Sequence, residues 1–148
     1  MEKIKANELR IGNFIFECAT YEEFLDGTKT EITPQKIITI TSILEDGVNA
    51  YAFYWNQYEC IAYSSLIPIP LTEDWLLRFG SELGGNTKNY TTTEIGKIYS
   101  LGYINISIFD GSISVEVGVN DYFPVDIKYV HQLQNLYFAL TGEELTIK

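Results

Sequence analysis

Residues 103–119, YINISIFDGSISVEVGV, constrain the fold more than any other stretch. Apolar and polar residues alternate on both sides of Asp110-Gly111. Asp-Gly is a preferred dipeptide of a two-residue type I′ hairpin turn. With the turn there, Ile108 faces Ile113, Ile106 faces Val115 and Ile104 faces Val117. These six side chains then share one face, and Asn105, Ser107, Ser114 and Glu116 share the other. A register slip of one residue would bury the polar set. This segment is therefore predicted to be antiparallel sheet.

The same logic reads the rest of the chain. Residues 9–16 form a first strand, with a bend or bulge at Gly12-Asn13. Residues 17–35 are polar and acidic, with Asp26-Gly27 and Pro34, and read as a long loop with room for an irregular hairpin. Residues 36–44 (KIITITSIL) alternate and are followed by Asp46-Gly47 and residues 48–54, a second hairpin signal. A two-residue turn at Asp46-Gly47 sets Ile40 opposite Phe53 and Ile38 opposite Trp55. Residues 58–63 can add a further strand.

Pro68 and Pro70 stop the sheet. Thr72 suits an N-cap, with Glu73 and Asp74 in the first turn, where the helix dipole favours acid. Leu71 and Leu76 can staple the entry, and Gly80 suits the position after the C-cap. The result is a short helix over residues 73–79 that buries Trp75, Leu76 and Phe79. Residues 81–93 are rich in Gly, Asn and Thr and read as a loop; residues 95–100 read as a strand. Val130, Leu133, Leu136, Tyr137 and Leu140 recur at helical spacing. They mark a final amphipathic helix over about residues 128–141, ended by Gly142, with Asp126 as a candidate cap.

The predicted class is α+β. Two antiparallel sheet units are each followed by a helix, and the first sixty or so residues can close into a small SH3-like barrel. The 148 residues suit one domain, with a β-rich part over 1–67, a helix over 68–80, and a hairpin with the C-terminal helix over 95–148.

Charge bounds the partners. Ten basic residues stand against twenty acidic ones, a net charge of −10. Such a field repels nucleic-acid phosphates and anionic lipid, and the lysines and arginines are scattered singly. Neither direct binding of free nucleic acid nor a membrane partner is expected. Instead, the acidity suits a partner protein with a basic surface. Residues 1–10 are charged and lack the apolar core of a signal peptide, and no stretch reaches the ~18 apolar residues of a membrane span. Cys18 and Cys60 lack a CxxC pattern and are expected as free thiols in a reducing compartment.

Chemistry-bearing motifs are scarce. His131, the only histidine, reads as a surface or capping residue of the last helix. One histidine and two distant cysteines do not make a structural zinc site. Glu22, Glu23 and Asp26 lack the spacing of a calcium loop. Gly84-Gly85-Asn86 lacks a phosphate-cradling pattern. No catalytic residue, metal or cofactor is therefore expected. The run Tyr51, Phe53, Tyr54, Trp55, Tyr58 has no lysine or arginine between residues 48 and 61, which disfavours base stacking. Its outward half, Tyr51 and Tyr54, suits a protein-binding patch. With the acidic residues Glu22, Glu23, Asp26, Glu31, Glu45 and Asp46, these two tyrosines are the candidate partner contacts.

Three segments carry a resemblance: ELRIGNFI at 8–15, PIPLTEDWLLRFG at 68–80 and YVHQLQNLYFALTGEEL at 129–145. Together they cover about a quarter of the chain. They resemble a family of small proteins carried by phages and prophages of Bacteroidetes bacteria. That family has no established catalytic residues, so none is transferred. The resemblance implies a phage setting inside a bacterial host cell. A protein of this kind is similar to anti-CRISPR proteins that block a type VI effector, an RNA-guided nuclease that cleaves RNA. The expected function is thus a non-enzymatic inhibitor of host defence, acting by protein contacts on an effector with its guide RNA. The alternatives are a structural or accessory phage protein that self-associates or binds another phage protein, and an enzyme with a carboxylate-based site.

Overall fold

The structure, a computed structural model, describes residues 4–23, 27–33, 35–52, 56–88, 95–102, 104–109, 112–117 and 125–148. The chain comprises two compact units, Met1–Ile69 and Pro70–Lys148. The α+β class is as predicted: antiparallel sheets with two α-helices.

In the first unit a 3-10 turn at Ala6–Glu8 precedes β1 (Phe14–Glu17). β1 is shorter and later than the predicted 9–16, because a turn at residues 11–12 comes first. The hairpin in the acidic segment is present as β2 (Thr20–Glu23) and β3 (Lys29–Thr33), with a register shift after Thr20. Then come β4 (Lys36–Ile43), β5 (Gly47–Ala52), β6 (Gln57–Ala62), a 3-10 turn at Tyr63–Ser65, and β7 (Leu66–Ile67). The main sheet runs β6-β5-β4-β1-β7, antiparallel throughout. This is the strand order of an SH3-like barrel, with the β2–β3 hairpin as its first long loop. Ile15, Ile38, Ile40, Val48, Ala50, Ala52, Ile61 and Leu66, from all five strands, meet in one buried cluster with Ile4 and Leu9. A sheet whose five strands share one inner cluster must be curled.

The β4–β5 register corrects the sequence reading. Ile40 pairs with Ala50 and Ile38 with Ala52, not with Phe53 and Trp55, which lie outside the described residues. Glu45-Asp46 form the turn, where the Leu44 N–H donates to the Gly47 carbonyl at 2.8 Å. A bulge between Ile40 and Ser42 shifts the ladder once more. Each bulky isoleucine thereby faces an alanine, which keeps the narrow interior filled without crowding.

The second unit opens with α1 (Glu73–Arg78). Thr72 holds the N-cap position, but its hydroxyl makes no capping bond; its carbonyl accepts from the N–H groups of Trp75 and Leu76. Gly80, at φ 76°, closes the helix. The Gly80 N–H donates to Leu77 and the Ser81 N–H to Leu76, the paired bonds of a Schellman end. The sheet is a meander of β8 (Glu82–Lys88), β9 (Ile95–Leu101), β10 (Ile104–Phe109), β11 (Ser112–Val117) and β12 (Val125–Asp126). β8 replaces the loop expected over 81–93; its glycines sit at a register shift between Leu83 and Gly85 that a pattern search cannot see.

The predicted β10–β11 register holds pair for pair: Ile104 with Val117, Ile106 with Val115, Ile108 with Ile113. Ile104, Ile106 and Val115 are buried, and so is Ser107 on the opposite face. The turn residues Asp110-Gly111 lie outside the described residues. α2 (Val130–Thr141) starts later than predicted, with Tyr129 rather than Asp126 at the N-cap. The Gln132 side chain, at the N3 position, reaches back to accept the N–H groups of Lys128 and Tyr129, the reciprocal bond of a capping box. Val130 and Leu133 are buried, Leu136 and Tyr137 half-buried, and Leu140 is exposed.

Candidate partner-binding surface

Strand parity decides which tyrosines are displayed. Val48, Ala50 and Ala52 point into the core, so Tyr51 stands on the outer face of β5. Its partner across the ladder is Tyr58 of β6. The two rings lie 5.1 Å apart, tilted by 53°. A direct cross-strand aromatic pair holds both rings in place. The Tyr51 hydroxyl also donates to Asn56 Oδ1, in the loop between the strands. Asn56 has φ 51°, a left-handed conformation that asparagine tolerates better than most side chains. Tyr51 is half-buried, whereas Tyr58 is 73% exposed.

Glu45 and Asp46 are exposed at the β4–β5 turn, flanked by the exposed apolar side chains Ile43 and Leu44. Tyr63 braces this turn: its hydroxyl donates to the Leu44 carbonyl at 2.6 Å, and its N–H to the Asp46 carbonyl at 3.4 Å. Five strand positions separate Asp46 from Tyr51, roughly 16 Å along an extended chain. The acidic turn and the tyrosine pair therefore sit at opposite ends of β5. Glu22, Glu23 and Glu31 lie on the β2–β3 hairpin, in register with Thr30, Lys29 and Tyr21; their side chains, like Asp26 and Tyr54, lie outside the described residues. Tyr58 was visible in the aromatic run, but only the ladder shows that it is displayed.

One cation of the first unit is turned inward. Lys36 Nζ sits 3.0 Å from a Glu17 carboxylate oxygen and 2.6 Å from one of Glu59, with side chains 8%, 17% and 24% exposed. These residues share the inward face of their strands with Ile38, Ile15 and Ile61, so the trio closes one end of the core. Burial pulls the Lys36 pKa down, but its bonds to Glu59 and Glu17 outweigh that and hold it above 10.5. The Lys36 ammonium, with help from Gln57, holds the Glu59 carboxyl below 4.5. This arrangement sets one ammonium against two carboxylates.

In the second unit Glu73 of α1 accepts from Lys97 Nζ at 2.7 and 2.9 Å and from the buried Tyr99 hydroxyl. Lys97, then Tyr99, depress the Glu73 pKa; Glu73 raises that of Lys97; burial, then Glu73, raises that of Tyr99. Glu73, being depressed, adds stability above 4.5 that is lost as pH falls through its folded value. Lys97, being raised, adds stability below 10.5 that is lost as pH rises through its folded value. The α1–β9 tether thus works between these limits. Glu73→Gln should reduce the fall in melting temperature between about pH 7 and about pH 3, read by circular dichroism.

His131 is not the surface histidine expected. It is 1% exposed, on the first turn of α2, with its ring stacked 5.9 Å from Tyr129. Val130, Leu133 and Gln134 of the same helix are buried as well. Cys18 is partly exposed, Cys60 is exposed, and both are free. Among the described residues, no three His, Cys, Asp or Glu side chains cluster as metal ligands, and no helix is long and apolar enough to cross a membrane.

No family model, curated protein or solved structure matches the chain. The surface must therefore be judged on its own chemistry. Each unit carries five basic and ten acidic residues, so the excess acid belongs to neither alone. Ion pairing within the chain ties Lys36 to Glu17 and Glu59 and Lys97 to Glu73, and the net charge stays at −10.

Proposed function

We propose that this chain is a non-enzymatic binding protein that inhibits a host defence system by engaging a basic, nucleic-acid-binding surface of a host protein. The observation that carries this reading is the outward Tyr51–Tyr58 pair on a molecule with twice as many acids as bases. Rigid tyrosines give contact area at little entropic cost and are common binding hot spots. Long-range attraction speeds encounter with a basic partner. The resemblance to phage and prophage proteins supplies the setting. It points to a type VI effector with its guide RNA as the partner.

The test is surface-immobilised binding to a purified, guide-loaded type VI effector. Wild type should associate at a rate that falls with salt. Tyr58→Ala should weaken binding roughly tenfold, mainly by faster dissociation. The double variant Glu45→Lys, Asp46→Lys should slow association and flatten its salt dependence. If both variants bind as wild type does, this surface is not the contact. If the effector does not bind but a phage protein does, the accessory-protein reading replaces this one.

A further inference from the structure

Sheet edges are where extended partners add, and most edges here are blunted. β7 and β12, each at one edge of a five-stranded sheet, have two residues apiece. β8, at the edge opposite β12, carries a register shift. β6 differs. It pairs with β5 over six residues without a shift, carries no lysine or proline, and no strand covers its other side among the described residues. Natural edges usually carry a bulge, a lysine, a proline or a cover.

The hydrogen-bond parity identifies which groups β6 offers. The Leu44 N–H reaches the Gly47 carbonyl, so Gly47, Asn49 and Tyr51 turn their peptide groups toward β4. Val48, Ala50 and Ala52 turn theirs toward β6, to Ile61, Glu59 and Gln57. Tyr58, Cys60 and Ala62 are left with N–H and C=O aimed at the open edge, and all three are exposed. Glu59, the one charge on β6, is paired with Lys36, so an added strand would not strand it.

We propose that the open edge of β6 takes an extended, lysine- or arginine-bearing segment of the partner protein as an added antiparallel strand. This rests on the reading above that the partner surface is basic. Charge selects the occupant: at −10, a second copy of this chain is repelled, whereas a basic segment is attracted. Side chains of the added strand on the outer face would lie beside Tyr58, whose ring can cover lysine stems and accept cation–π contact. Main-chain bonds would supply affinity, and alternate side chains the selectivity.

Ala62 has φ −66° and ψ 147°, already the geometry of proline. Ala62→Pro should therefore keep the fold while deleting one outward N–H and blocking an approaching strand. The probe is a labelled peptide of about nine residues alternating lysine and valine, added to the full chain. It is followed by fluorescence anisotropy and by hydrogen exchange of the β6 amides. The expected result is binding that slows exchange at Tyr58, Cys60 and Ala62, and that weakens roughly tenfold in Ala62→Pro with an unchanged melting temperature. If the peptide binds both proteins equally and leaves these amides unprotected, but the Glu45→Lys, Asp46→Lys variant loses it, edge addition is overturned while the basic-partner reading stands. If the peptide fails to bind yet the effector is still bound, edge addition alone is overturned; if neither binds, both readings fall. Protection of the same amides without peptide, together with a dimer in sedimentation, would give the edge to a second copy and also overturn the proposal.

Discussion

Replacing Lys36 with methionine is expected to lower the unfolding free energy by about 2–4 kcal/mol, read by chemical denaturation. Methionine keeps most of the apolar stem but deletes the ammonium between Glu17 and Glu59. Two carboxylates then face each other at one end of the core with no counter-charge. Breaking a buried pair by removing one partner costs about 3–5 kcal/mol, and partial exposure of the two acids reduces this. The pH profile makes the prediction specific. In wild type, Glu59 is depressed, so its contribution is present above 4.5 and fades as pH falls through its folded value. Lys36 is raised, so its contribution is present below 10.5 and fades as pH rises through its folded value. In Lys36→Met the ammonium that holds Glu59 down is gone, so the part of the acid-side loss that comes from Glu59 should shrink. Adding Glu17→Gln and Glu59→Gln to Lys36→Met should recover much of the loss. A simple packing defect would not be rescued this way.

Gly47→Ala should cost about 2–4 kcal/mol, on the scale of the larger single-residue effects. A Cβ at Gly47 would lie 2.2 Å from the Ile61 carbonyl oxygen and 3.0 Å from its carbon. Both are backbone atoms, so no rotamer change relieves the clash. β6 would have to move off β5, disturbing the Tyr51–Tyr58 pair and the edge that β6 presents. Denaturation gives the energy, and loss of protection at the Glu59 and Ile61 amides, which bond β5, would locate the damage.

Gly47 also explains where the sequence misled. Asp46-Gly47 reads as a turn dipeptide, yet Gly47 is the first residue of β5, and it is small because β6 crosses close to it. Close approach between strands is a tertiary fact and leaves no local pattern. The β10–β11 hairpin was legible to the residue because its apolar set can sit on only one face in one register. α1 was legible because its cap position and Gly80 agree with its apolar spacing. β8 was not, because its Gly-Gly-Asn stretch matches loop composition while the neighbouring strand β9 supplies the pairing. His131 was misplaced because helical spacing does not separate a buried polar ring from an exposed one.

The candidate surface was half legible. The aromatic run gave Tyr51 and Tyr54 as candidate contacts; Tyr54 lies outside the described residues, and Tyr58 emerges as displayed only from the β5–β6 ladder. The acidic turn was found from composition alone, and its distance from the tyrosines appeared only with the ladder. The Lys36 trio was not found at all, because Glu17, Lys36 and Glu59 come from three separated strands.

The proposed inhibition of a host nuclease can be read at the nuclease itself. The most direct measurement is cleavage of a fluorescent RNA by a guide-loaded type VI effector during titration with the purified chain. The proposed inhibition should give a dose-dependent fall in cleavage that saturates near stoichiometric addition, shifts to higher dose with Tyr58→Ala, and weakens as salt rises. Undiminished cleavage at large excess of wild type, with the chain folded and the effector active, would contradict it.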